Sequence, residues 1–126
     1  MNNETIKILI ADDEARMRAL VRDYLRVKGY QVLEAENGAE ALAVFEREPD
    51  IALVLLDVMM PELDGFETLK ELRRISEVPV LMLTARSEER DELRGFSLGA
   101  DEYIAKPFSP KVLMARVEAV LKRTAA

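Results

Sequence analysis

Five polar residues stand at the C-terminal ends of apolar runs. Asp12 and Asp13 follow Ile6 to Ala11, Asp57 follows Ile51 to Leu56, Thr84 follows Val78 to Leu83, and Lys106 follows Tyr103 to Ala105. Three carboxylates, a hydroxyl and an ammonium in one place make a distinct chemical set. Close carboxylates repel and raise one another's pKa unless a cation lies among them. Hard oxygen donors without His or Cys suit Mg2+ (or Mn2+) rather than zinc. Such a site keeps several waters and leaves room for phosphate oxygens. With Lys106 facing the ion, the equatorial oxygens of a phosphoryl group in transfer are neutralised. The Thr84 hydroxyl adds a donor. A carboxylate can be the acceptor nucleophile, and Asp57, central and followed by a loop, is the best placed. The deduced reaction is phosphoryl transfer onto Asp57.

These groups converge only if the runs lie side by side and point the same way. The first three runs are nearly continuous, as in parallel strands buried on both faces. A weaker strand spans Gln31 to Ala35. Helical stripes separate them: Met17, Leu20, Val21, Tyr24 and Leu25, with Gly29 as the stop; Ala41, Leu42 and Phe45, closed by Pro49; Phe66, Leu69 and Leu72; and Val112, Leu113, Val117, Val120 and Leu121. These stripes are expected to be core. The stretch Ser87 to Leu98 is mostly charged and holds Gly95, so it predicts the least stable helix. Strand and helix alternate five times without a linker. That order predicts a parallel sheet, 2-1-3-4-5, with helices on both faces and a site at the C-terminal strand ends.

Composition narrows the chemistry. With no His and no Cys among 126 residues, serine-histidine hydrolysis, thiol catalysis, disulfides and histidine-bound zinc are excluded. A net charge of −6 argues against a broad nucleic-acid surface. No apolar run approaches the ~20 residues that span a bilayer, and the N-terminus Met1 to Thr5 does not read as a secretory signal. A cytoplasmic protein is expected.

Taken singly, each residue has a plainer role. Asp12 or Asp13 could cap the following helix, Asp57 and Thr84 could end turns, Lys106 could be a solvated surface residue, and Tyr103 could be core. The functional reading rests on complementary groups at four strand ends.

These residues match a known pattern. Asp12-Asp13-Glu14, Asp57 with Met60-Pro61 and Asp64-Gly65, Thr84-Ala85, Leu98-Gly99-Ala100-Asp101, Tyr103 and Lys106-Pro107-Phe108 occur in that order. The chain resembles the receiver domain of two-component response regulators from Ile6 to Arg123, and Leu98 to Arg123 is most similar to the subfamily whose receiver precedes a winged-helix DNA-binding domain. The resemblance implies a flavodoxin-like three-layer (βα)5 sandwich, with residues 1–126 as one receiver domain and no second domain in this chain. It implies Asp57 as the phosphoacceptor for a sensor histidine kinase. Asp13, Asp57 and the backbone carbonyl of Met59 would bind Mg2+, with Asp12 acting mainly through water. Thr84 and Lys106 would grip the phosphoryl group, the Lys106-Pro107 bond would be cis, and Tyr103 would turn inward as Thr84 moves. The output would be transcription, through a changed face of helix 4, strand 5 and helix 5.

That face departs from the subfamily pattern of paired charges. Glu92 and Val112 stand where a base and an acid are expected, and Ser97 and Glu118 stand at a second pair; only Glu102 (or Asp101) with Arg116 remains. A homodimer through the face is correspondingly weakened. Rival readings are a stand-alone receiver acting on other proteins, and a Mg2+-dependent phosphatase with an aspartyl-phosphate intermediate. The phosphatase would want its nucleophile after strand 1 and a cap domain. A flavin module would need a Ser/Thr/Gly-rich loop where Asp12-Asp13-Glu14 stands. Acidic repulsion further predicts that Mg2+ raises the melting temperature and that Asp13→Asn stabilises the metal-free chain.

Overall fold

The computed structural model describes residues 5–86 and 88–124. The strands are β1 (Lys7–Ala11), β2 (Gln31–Ala35), β3 (Leu53–Asp57), β4 (Val80–Thr84) and β5 (Glu102–Ala105). The helices are α1 (Ala15–Val27), α2 (Gly38–Arg47), α3 (Gly65–Ile75), α4 (Glu89–Ser97) and α5 (Pro110–Thr124). All strand pairs are parallel and the order is β2-β1-β3-β4-β5, as the alternation of patterns predicts.

Successive strand residues point to opposite faces, so each apolar run feeds two cores. Leu9, Val54, Leu56, Val80, Met82 and Tyr103 pack with Phe45 of α2 and Phe66, Leu69 and Leu72 of α3. Ile8, Ile10, Leu53, Leu55, Leu81, Leu83 and Ile104 pack with Val21 and Leu25 of α1 and Leu113, Val117 and Val120 of α5. This is why the central strands show no alternation in sequence: both faces are covered.

Local signals place the helices. Asn37 accepts the Glu40 N–H at 2.8 Å and Asp64 accepts the Glu67 N–H at 2.9 Å, so each caps its helix. Gly29 follows α1 with φ 92°, the left-handed conformation that glycine supplies at helix ends. Pro110 opens α5, where its missing N–H costs nothing.

Some expectations are corrected. Asp57 and Thr84 are the last residues of β3 and β4 rather than the first beyond them, because their backbones still pair with the neighbouring strands. Leu20 and Tyr24 are 45% and 41% exposed, and Val112 is 45% exposed, although they belong to the stripes read as core. Leu20 and Tyr24 each precede a buried residue by one position, a turn of roughly 100° round the helix, which carries them off the sheet. Leu93 and Phe96 of α4 are exposed as well, and only Asp91 and Gly95 of that helix are buried. Ser87, where the sequence places the start of this helix, lies outside the described residues, as do Met1 to Glu4.

Gly65 begins α3 against the end of β3. A Cβ there would stand 2.3 Å from the Asp57 carbonyl oxygen and 2.7 Å from Val58 Cα. Both neighbours are backbone, so no rotamer change relieves the clash. Gly65→Ala is expected to lower stability by ~1–3 kcal/mol in urea unfolding; an unchanged midpoint would show that this junction relaxes freely.

Candidate functional site

Strand register brings the polar residues together. Ala11 pairs with Leu56, Asp57 with Leu83, and Thr84 with Ala105, so Asp12, Asp57, Thr84 and Lys106 occupy neighbouring ends of one sheet edge. Lys106 Nζ lies 3.0 Å from Asp12 Oδ2, 3.4 Å from Asp57 Oδ2 and 3.9 Å from Glu14. Asp12 and Asp57 are 2% and 3% exposed, and Thr84 is fully buried. Asp13 is exposed, yet carboxylate oxygens of Asp12, Asp13 and Asp57 all lie within 4.8 Å of one another.

The plainer turn roles are present in the same residues. Asp12 Oδ1 accepts the Glu14 N–H, Asp57 Oδ1 the Met59 N–H and Thr84 Oγ1 the Arg86 N–H, at 2.9, 3.2 and 3.1 Å. Each strand end thus closes an Asx- or Ser/Thr-type turn with one oxygen. In both aspartates this leaves the other oxygen facing Lys106. The Lys106 N–H donates to the Thr84 carbonyl, and the Lys106–Pro107 peptide is cis. Met59 is adjacent through its N–H, with its side chain half exposed.

One ammonium cannot neutralise two buried carboxylates. Burial pushes Asp57 up to about 6, the Asp12 charge adds to the rise, and Lys106 and the Met59 N–H oppose it. Burial pulls Lys106 down, but its hydrogen bonds and charge contacts with Asp12 and Asp57 outweigh that, so it shifts up and stays charged. The donor set is all oxygen and short of positive charge, which suits a hard divalent cation.

Tyr103 is buried, and its hydroxyl donates to the Arg86 carbonyl. Burial, reinforced by Asp91, pushes it to about 12. A Cβ on Gly95 would come within 3.0 Å of the Tyr103 ring, so that glycine lets α4 lie close to β5. The residues of the output face expected from sequence, Glu92, Glu102 and Arg116, make no contact with Asp57 or Lys106 among those the structure shows. Arg116 Nη1 donates to Glu102 at 2.8 Å within the chain, whereas Asp101 takes Arg73 at 3.3 Å and the Val80 N–H at 2.9 Å. Glu92 lies on α4, half-buried. Arg86 and the buried Asp91, 2.8 Å apart, were not singled out by sequence. Asp91 sits in the charged run Glu88 to Glu92, where nothing distinguishes the one carboxylate that turns inward.

Fold and pocket define a parallel α/β domain with an acidic site at its C-terminal strand edge. The family model for the response regulator receiver domain matches residues 8–118. The chain belongs to the receiver domain family of two-component response regulators. It is 51% identical over 123 residues to the probable transcriptional regulator ycf27 of Pyropia yezoensis, covering 98% of this chain and 50% of that one. It is 50% identical over 121 residues to the transcriptional regulatory protein ResD of Bacillus subtilis, covering 96% and 50%. The chain therefore spans about half the length of these relatives. The chemotaxis protein CheY4 of Vibrio cholerae has the same fold, with TM-score 0.87 at 34% identity, covering 92% of this chain and 98% of that one.

The raised Asp57 value has a thermodynamic consequence. The folded chain holds this proton up to about pH 6 while an ordinary carboxyl loses it near 3.8, so stability drains away as pH rises between those values. Asp57→Asn cannot ionise. In metal-free buffer its stability advantage over the native chain should grow from pH 4 to pH 6 and then level off, by chemical denaturation. A difference that stays flat would show that Asp57 is not a strained charge. Asp13→Asn should gain less than Asp57→Asn, because Asp13 is exposed.

Proposed function

We propose that this domain is a phosphorylation-activated switch in which Asp57 accepts a phosphoryl group from a sensor histidine kinase. The observation that supports this reading best is the buried Asp57 carboxylate, 3.4 Å from Lys106 and clustered with Asp12 and Asp13. In the transfer, an Asp57 carboxylate oxygen bonds to phosphorus as the P–N bond of the kinase phosphohistidine breaks, and its electron pair stays on the imidazole nitrogen. Lys106 meets a phosphoryl oxygen, and the Thr84 hydroxyl donates to another. Asp12, Asp13, Asp57 and the Met59 carbonyl would hold Mg2+, which supplies positive charge to the transferring group. Tyr103 would act with Thr84 in the response.

The domain promotes only its own phosphorylation and dephosphorylation; it is not a turnover enzyme. We read residues 1–126 as one receiver. Its output is transcription, through a DNA-binding domain outside this chain and not through nucleic-acid contact by the receiver itself. The names of ycf27 and ResD support this. A protein paired with a nucleotide-fed kinase works in the cytoplasm; among the described residues no helix is long and apolar enough to cross a membrane. A homodimer would use α4, β5 and α5, where Leu93, Phe96 and Val112 are exposed. Among its charged residues are Glu92 and the Glu102–Arg116 pair.

Incubation with acetyl phosphate and Mg2+ should add one phosphoryl group by intact mass, lost in Asp57→Asn and without metal. Label retained in Asp57→Asn would overturn the assignment, and multiple turnover of phosphate esters would favour the phosphatase. Mg2+ alone should raise the melting temperature, and at a hundredfold excess over its Kd the stabilisation is ~2.7 kcal/mol. Asp12→Asn or Asp57→Asn should blunt that gain, and an equal gain in both variants would move the metal elsewhere.

A further inference from the structure

Arg86 stands two residues beyond Thr84, and its contacts run to four separate parts of the molecule. Its backbone N–H donates to Thr84 Oγ1 and its carbonyl accepts from the Tyr103 hydroxyl. Its guanidinium Nη2 lies 2.8 Å from Asp91 Oδ1 in the first turn of α4, and its Cζ lies 5.7 Å from the centre of the Phe66 ring. With Asp13, Met59 and Asp64 it also lines an open hollow of about 420 Å3. One side chain therefore borders both the mouth of the acidic pocket and the buried face of α4.

Asp91 is 5% exposed, and Arg86 is its ion-pair partner among the described residues. A buried carboxylate stripped of its cation is strongly disfavoured, so the pair ties the start of α4 to the loop that leaves β4. Few buried groups hold this helix: besides Asp91 only Gly95 is buried, and its other side-chain contacts, Arg94 over Phe66 and Phe96 beside Tyr103, come from exposed residues. A phosphoryl group on Asp57 would bring about two negative charges to the neighbourhood of the hollow, against the single charge of Asp91. A guanidinium is a planar, forked receptor for phosphate oxygens. Phe66 would stay covered, because Arg94 lies 4.4 Å from its centre.

We infer that Arg86 is an exchange latch. It holds α4 through Asp91 while Asp57 is unmodified, and turns its guanidinium to the phosphoryl group once Asp57 carries one, which releases the first turn of α4. The inference rests on Asp57 being the phosphoacceptor. Thr84 and Tyr103 bond to the backbone of the same residue, so movement of the Thr84 hydroxyl, of the guanidinium and of the Tyr103 side chain are mechanically joined. A group at Asp57 can shift α4 only through a difference in its contacts with the two arrangements, and the Arg86 contact supplies one.

The test is calorimetric titration of the intact chain with beryllofluoride and Mg2+, a phosphoryl mimic, together with hydrogen exchange of the α4 amides. Asp91→Asn frees Arg86 and should tighten binding about tenfold, within the ~5–150-fold range usual for coupled sites. Arg86→Ala should bind more weakly than the native chain. The double variant should match Arg86→Ala, because the gain needs the guanidinium. Asp91→Asn should speed exchange in α4 and leave α1 and α3 unchanged, and beryllofluoride should do the same to the native chain. A tenfold gain that survives in the double variant, or that Glu92→Gln reproduces, would reduce the effect to general charge removal and overturn the latch. Native affinity in Asp91→Asn would overturn it while leaving the phosphoacceptor reading intact. A native chain that binds no beryllofluoride, or an Asp57→Asn variant that binds it equally, would overturn both.

Discussion

The Lys106 ammonium stands between two carboxylates that the fold has taken out of water, and the arrangement around it depends on that contact. Lys106 Nζ reaches Asp12 at 3.0 Å and Asp57 at 3.4 Å, and those three side chains come from the residue after β1, the last residue of β3 and the residue after β5. Bringing them together requires the full sheet order, since β5 reaches β1 only across β4 and β3. The charge balance stays negative. Burial, reinforced by the Asp12 charge, raises Asp57 and leaves the metal-free domain short of its greatest stability, and the all-oxygen cluster suits a divalent cation.

The same edge is built from cheap local parts. Asp12, Asp57 and Thr84 each close a turn with the N–H two residues on, so the structural role and the proposed chemical one fall on the same side chains. The plain and the functional readings of these residues are therefore not alternatives. Gly65 serves the edge differently, because it permits α3 to start in contact with the Asp57 backbone.

Stability is unevenly distributed, and the distribution suits a switch. The central strands are buried on both faces, and α3 inserts Phe66, Leu69 and Leu72 into one core. Helix α4 has no such buried apolar anchors; it is held by Asp91, by the close fit of Gly95 to Tyr103, and by the exposed Arg94 and Phe96 against Phe66 and Tyr103. Arg73 braces the turn beyond its C-terminus, donating to Gly99 O at 2.7 Å and to Val78 O at 2.7 Å. Elements with few buried apolar contacts open at low cost, and this one borders the mouth of the acidic pocket through Arg86.

Much was legible before the structure because it is encoded by local periodicity and by elimination. Continuous apolar runs, helical stripes and alternating order determined a parallel sheet with the pocket at its C-terminal ends. The absence of His and Cys left oxygen donors, and the strand-end positions named the groups that meet in the pocket. Exposure of Leu20, Tyr24 and Val112 was not legible, since a stripe records hydrophobicity while burial depends on which arc a neighbour covers. Nor did the charged run Glu88 to Glu92 disclose that Asp91 alone turns inward to meet Arg86, or that Arg116 pairs with Glu102 and leaves Asp101 to Arg73. Which groups reach the edge follows from the residue pattern alone, because strand length and order place them there. Partner choice among charges of like type was decided only by tertiary packing, because it turns on distances of a few ångströms between segments far apart in the chain.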